Sequence, residues 1–188
     1  MTGSKGALLD RVRSQLIVVD VQEKLIPTIA AVEPMIRRVG FVVETARTLG
    51  VPITITEQYP KGLGPTEPVL RASCGNAAAV FAKTAFSCLK DEGVAAHLAQ
   101  HAERKQLVVV GMEAHVCVLQ TALDAVAAGY QVFVVGDAIS SRAASDVDAA
   151  KQRMAASGVT VVCAEMVFFE WLERAGTPEF KQLSGLLR

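Results

Sequence analysis

Six short, largely apolar runs, each parted from the next by a longer stretch, constrain this chain more than any other feature. They are Leu16-Ile17-Val18-Val19-Asp20, Val51-Pro52-Ile53-Thr54-Ile55-Thr56, Ala78-Ala79-Val80-Phe81-Ala82, Leu107-Val108-Val109-Val110-Gly111, Val132-Phe133-Val134-Val135-Gly136 and Val159-Thr160-Val161-Val162. Strands buried on both faces read this way, as the strands of a covered parallel sheet do. The intervening stretches carry helical spacing. Over 28–49, Ile29, Val32, Ile36, Val39, Val43 and Ala46 recur at three- and four-residue steps, and Gly50 closes the run. Helices are also expected over about 90–103, from Gly111 to Ala128, over 145–157 and around Trp171. Alternation of this kind predicts an α/β fold, a three-layer sandwich around a mostly parallel six-stranded sheet, Rossmann-like. A length of 188 residues fits one domain over 1–188. The Pro- and Gly-rich segment 57–76 is too long for a mere connector and reads as a loop that lids or lines a site, or as a packed Ω-loop.

Hydrophobic residues make up 51% and aromatic residues 5%, so the core is expected to be aliphatic. Formal net charge is zero. A nucleic-acid binder needs a basic stripe to displace counterions from phosphate, and the basic residues here are scattered. Arg37-Arg38, an adjacent basic pair, reads as a solvated helix face. No apolar run approaches the roughly 20 residues of a membrane span. Met1 to Arg13 carry no apolar h-region with a cleavage site, so a cytoplasmic location is expected. Cys74, Cys88, Cys117 and Cys163 form no CxxC pair and are expected to be free thiols. The first strand is followed by Asp20-Val21-Gln22 instead of GxGxxG, and GxxxxGK[ST] is absent. Dinucleotide and nucleoside triphosphate binding lose their best support, and no cofactor is expected.

Ligands of open parallel sheets bind beyond the carboxyl ends of the strands. Asp20 ends the first strand, Lys83 follows the third, Gly111-Met112-Glu113-Ala114-His115-Val116-Cys117 follows the fourth and Asp137 the fifth. A thiol is a poor nucleophile until ionised; an ammonium and a helix N-terminus favour the thiolate. A carboxylate beside it accepts the proton and returns it to a leaving group. Singly, Asp20 reads equally as a turn residue, Lys83 as a solvated lysine and Cys117 as a structural thiol. Their shared place at one sheet edge favours chemistry.

Ile17-Val18-Val19-Asp20-Val21-Gln22, Lys83-Thr84-Ala85-Phe86-Ser87 and Gly111-Met112-Glu113-Ala114-His115-Val116-Cys117-Val118, in this order and spacing, resemble the isochorismatase-like hydrolases over about residues 14–170. The resemblance implies Asp20 as general acid/base, Lys83 as the residue lowering the thiol pKa and Cys117 as nucleophile. It also implies a cis peptide between Met112 and Glu113, with the backbone N–H groups of Glu113 and Cys117 as oxyanion hole. Gln22, Tyr59 and His115 are the expected substrate contacts, although His115 reads better as a helix-start residue facing a loop or a subunit partner. Glu113 either meets the substrate or contributes only its backbone. Asp137 caps or braces the site, and Cys88 reads as a buried thiol. Nicotinamidases of this superfamily hold a metal with an Asp-x-His and a later His. The corresponding stretch here is Thr56-Glu57-Gln58-Tyr59-Pro60-Lys61-Gly62, without histidine, so no metal is expected. Glu57-Gln58-Tyr59-Pro60-Lys61-Gly62-Leu63-Gly64 with Glu113-Ala114-His115-Val116-Cys117 is more similar to the isochorismatase domain-containing branch.

The reading that results is a cysteine-dependent hydrolase of a small molecule, cleaving a C–N bond through a covalent intermediate on Cys117. The alternative is a non-catalytic interaction protein on a retained hydrolase fold. A phosphate-accepting regulatory domain would need an acidic pair by strand one, and Asp20 has no acidic neighbour at 19 or 21. The resemblance further implies a homo-oligomer. The apolar segment 166–172 could supply an interface, but reads rather better as a core-packing helix.

Overall fold

The computed structural model describes residues 8–76 and 78–187. The signal-free reading of Met1 to Arg13 lies largely outside them. The six runs become β1 (Ser14–Val19), β2 (Ile53–Gln58), β3 (Ala79–Lys83), β4 (Gln106–Met112), β5 (Gln131–Ser140) and β6 (Thr160–Val162). They form one sheet in the order β3-β2-β1-β4-β5-β6, every neighbouring pair parallel. Between and after them lie α1 (Val32–Thr48), α2 (Pro60–Leu63), α3 (Pro68–Ser73), α4 (Glu92–Gln100), α5 (Leu119–Ala127), α6 (Ala144–Ala156), α7 (Ala164–Leu172) and α8 (Pro178–Leu183).

Successive side chains of a strand point to opposite faces. In β1, Leu16 and Val18 pack with Val39, Val42 and Val43 of α1 and Phe168 and Trp171 of α7. Ile17 and Val19 pack with Leu98 of α4, Ala122 of α5 and Met154 of α6. Two helical layers thus cover the sheet, which is why β1 is apolar at consecutive positions. No helix among the described residues is long and apolar enough to cross a membrane.

Three expectations change in detail. The first long helix starts at Val32, not 28, because a 3-10 turn at Ile26–Thr28 and a left-handed Ala31 (φ 48°) precede it. The segment 57–76 is no open loop. It holds α2 and α3, each opened by a proline at a position that needs no N–H donor. It is tied down by Lys24 N–H to Leu63 O (3.1 Å), Glu23 N–H to Pro65 O (3.1 Å) and Glu67 N–H to Val21 O (2.8 Å). The fifth strand runs past 136 to Ser140, its register with β4 jumping across an irregularity from Val109↔Val134 to Gly111↔Ile139. As expected of a core-packing segment, α7 buries Val167, Phe168, Trp171 and Leu172; its outer face leaves Met166 and Phe169 about half exposed.

The chain leaves β1 toward the α1 layer and leaves β4 toward the α5 layer. The crevice of this sheet therefore opens between the carboxyl ends of β1 and β4.

Candidate active site

Two backbone features bring that crevice together. Gly111 pairs with Val19 and has φ +115°. A Cβ there would stand 2.1 Å from the Val19 carbonyl oxygen, so only glycine lets β4 end this close to β1. Asp20, the next residue after β1, sits in the left-handed region (φ 52°), a conformation that Asp tolerates better than most residues. Beyond Met112 the peptide to Glu113 is cis. The chain then makes one wide π turn at Ala114–Val118, carrying Cys117, before it tightens into α5.

Asp20, Lys83 and Cys117 meet in this crevice. Lys83 Nζ donates to Asp20 Oδ2 at 2.7 Å, and both side chains are fully buried. Nζ also donates to Gln58 Oε1 at 2.7 Å, with Ala85 O (3.2 Å) and Phe86 O (3.3 Å) sharing its third proton. The ammonium is saturated, so Lys83 acts here as a fixed charge. The Thr56 hydroxyl donates to Asp20 Oδ1 at 2.7 Å, and the Cys88 thiol donates to Thr56 Oγ1 at 3.7 Å. The Cys117 thiol is only 6% exposed and lies close enough to Asp20 and Lys83 to feel both charges.

Burial opposes the charge on Lys83, but the Asp20 carboxylate and the thiols beside it outweigh burial and raise its pKa. For Cys117 the expected direction is reversed. Lys83 does favour the thiolate, yet burial first, and then the negative charge and hydrogen bond of Asp20, drive the thiol pKa well up. Cys117 therefore rests as a neutral thiol beside a carboxylate. Burial likewise pushes Cys88 up to about 11.

The remaining candidates separate by distance from this centre. Gln22 does not face a ligand. It is fully buried, and its amide is spent on the backbone, accepting from Gln58 N–H (2.7 Å) and donating to Gln58 O (3.0 Å) and Gly64 O (2.7 Å). It braces the α2 segment against the end of β2. Tyr59 is 55% exposed and its N–H donates to Lys83 O at 2.8 Å, which sets it at the mouth of the crevice. His115 Nδ1 lies 3.0 Å from Ser141 Oγ, in keeping with a helix-start residue facing a loop. The Glu113 side chain turns to Arg142, which donates from Nε (2.8 Å) and Nη2 (3.1 Å). Asp137 caps α7 by accepting from Ala164 N–H (2.8 Å) and pairs with Arg38 (3.4 Å), so it braces a helix away from the thiol. Sequence reasoning passed over Thr56, Gln58 and Arg142. The alternation Thr54, Thr56, Gln58 on one face of β2 was the available signal for the first two. Among the described residues no group of three or more His, Cys, Asp or Glu is placed to hold a metal ion.

The isochorismatase domain family matches residues 14–166. Isochorismatase domain-containing protein 1 of Salmo salar is 37% identical over 169 residues, 90% of this chain and 59% of that protein, so this chain spans less than two thirds of that relative. Among solved structures, the MAR1 ribonuclease of Caenorhabditis elegans superposes with a TM-score of 0.90 at 34% identity, covering 96% of this chain and 92% of its own. The Escherichia coli YcaC gene product, an octameric hydrolase of unknown specificity, superposes with a TM-score of 0.90 at 23% identity over 98% of this chain and 92% of its own, a likeness of fold.

Proposed function

The chain belongs to the isochorismatase-like hydrolase family, and on that premise we propose that it cleaves a C–N bond of amide type in a small molecule through a covalent intermediate on Cys117. The observation that carries this reading is the buried Asp20–Lys83 pair, closed at 2.7 Å, with the nearly enclosed Cys117 thiol within reach of both charges.

Because the thiol rests neutral, its proton moves to Asp20 as sulfur attacks the carbonyl carbon. The C–S bond forms and the carbonyl electron pair passes to oxygen, held by the backbone N–H groups of Glu113 and Cys117. As the tetrahedral adduct collapses, the C–N bond breaks, Asp20 returns its proton to the leaving nitrogen, and an acyl thioester remains on Cys117. Water then attacks the thioester, giving a proton to Asp20, which passes it to the departing sulfur. Lys83 stays an ammonium throughout and offsets the charge that alternates between carboxylate and adduct. Tyr59 at the mouth contacts the substrate, while the His115 ring stays with Ser141.

The fold neighbour from Escherichia coli is an octamer, and the half-exposed Met166 and Phe169 offer apolar surface; both support a homo-oligomer. Four free cysteines support a reducing, cytoplasmic setting, and residues 1–188 are read as one hydrolase domain. The ribonuclease activity in the name of the nematode protein stays with that protein, since zero net charge offers no electrostatic footprint for RNA.

The test is a panel of small primary and secondary amides, followed by amine release and by intact mass. Wild type is expected to release amine and to show an acyl adduct on Cys117, and Cys117→Ala to lose at least about a thousandfold in turnover. Undiminished turnover in Cys117→Ala overturns the nucleophile. No turnover and no adduct with any amide puts the non-catalytic interaction protein in its place.

A further inference from the structure

Thr56 grips Asp20 twice. Its carbonyl oxygen accepts from the Asp20 backbone N–H at 3.1 Å, and its hydroxyl donates to Asp20 Oδ1 at 2.7 Å. The side chain is fully buried, at the carboxyl end of β2, on the same face of the sheet as Cys88. A buried hydroxyl carries a single proton, and a carboxylate has none to give. The Cys88 thiol at 3.7 Å supplies the bond that the Thr56 oxygen accepts, so the one hydroxyl proton goes to Asp20. With Lys83 on Oδ2 at 2.7 Å, each carboxylate oxygen has its own anchor on a different strand, and the carboxylate is held against rotation. Threonine suits this place, because branching at Cβ leaves few χ1 rotamers.

We propose that Thr56 is a positioning residue of the hydrolase centre, orienting the Asp20 carboxylate and keeping it ready both to take the Cys117 proton and to give it back. This rests on the reading of Asp20 as base and Cys117 as nucleophile. A donor to the ionised form of a carboxylate favours that form. Without the hydroxyl the carboxylate holds a proton more tightly, and the reaction loses its base at a higher pH. The groups that face Asp20 are Lys83 from the end of β3, Cys88 from the turn after it and Cys117 from the turn after β4. None of them replaces the lost donor on Oδ1.

Iodoacetamide alkylation of Cys117, followed peptide by peptide from pH 4 to 10, reads this without a known substrate. The proteins are wild type, Thr56→Val, Thr56→Ser and Asp20→Asn, each checked for folding by circular dichroism. In Thr56→Val the acid-side midpoint is expected to move up by about half a unit to one unit, a roughly three- to tenfold slower reaction on that limb. Thr56→Ser, which keeps the hydroxyl, is expected to stay with wild type. A merely structural residue would slow alkylation equally at every pH, and that result, or an unmoved midpoint in Thr56→Val, overturns the proposal. Should the valine variant not fold, Thr56→Ala carries the same expectation. Asp20→Asn separates the two levels. If it abolishes the acid limb while Thr56→Val leaves the limb untouched, only the role of Thr56 falls. If the limb survives in Asp20→Asn, the base assignment falls and takes Thr56 with it.

Discussion

Two ion pairs, Asp20–Lys83 and Glu113–Arg142, differ in almost everything except length. Asp20–Lys83 closes at 2.7 Å with both side chains fully buried, whereas Glu113–Arg142 closes at 2.8 Å with Arg142 66% exposed. In the first, every proton of the ammonium and both carboxylate oxygens have partners. In the second, the guanidinium stands in water, and solvent and salt screen it. The buried pair is a fixed charge distribution enclosed by the fold. The exposed pair can part without disturbing the core, because solvent takes the place of either partner.

Breaking the buried pair should have the largest effect. Lys83→Met leaves the Asp20 carboxylate uncompensated in the interior, so an unfolding free energy lower by about 3–5 kcal/mol is expected in urea denaturation. Alkylation of Cys117 should slow at the same time, because the one charge favouring the thiolate is gone. A loss below about 1 kcal/mol would put the pair in the same class as a surface bridge.

Alkaline pH should act on the buried side alone, with an intermediate effect. Cys88 beside the pair, and Cys74 in the opposite layer, are both pushed up to about 11 by burial, and Cys117 rises in the same direction. In the unfolded chain these thiols ionise near 8.5. Folding stability is therefore fully present below about pH 8.5, where both states hold their protons, and is lost as pH climbs toward 11, where only the folded state still does. Melting temperature should fall across this window, and less steeply in Cys88→Ala. A flat profile would mean that the thiols are not as deeply enclosed as their surroundings imply.

Arg142→Ala should have the smallest effect on stability. Its melting temperature is expected to stay close to wild type and far from that of Lys83→Met. Its effect, if Arg142 contacts substrate, should fall on KM more than on kcat, as measured with the amide found in the panel above. A collapse of the fold would show instead that Glu113 needs its partner as Asp20 does.

How much of this was legible beforehand depends on how local each signal is. Asp20, Lys83 and Cys117 each stand at or just beyond the end of an apolar run, and the strand-end rule selects such positions without any knowledge of the partners. Thr56 and Gln58 escaped, because a threonine on a strand is an ordinary β-former until its hydroxyl finds Asp20, 36 residues away in sequence. Arg142 was invisible for a similar reason, its partner Glu113 lying 29 residues off. The α2 and α3 turns have too few residues to announce themselves by periodicity; their hydrogen bonds to residues 21–24 hold them. Gln22, expected at the substrate, has its whole amide spent on neighbouring backbone, a fact that no spacing in the chain reveals.

By itself the sequence determined the layered α/β architecture, the parallel six-stranded sheet and the edge where Asp20, Lys83 and Cys117 collect. Those follow from hydrophobic periodicity and from where each run stops, both local properties. Only the tertiary structure decided the state of the Cys117 thiol and the company it keeps. Burial, and after it the charge of Asp20, raise the pKa of Cys117 and reverse the direction that the neighbouring lysine alone would give. Desolvation depends on everything packed around a group, which is why the sequence could place the thiol at the site and not say that it rests protonated.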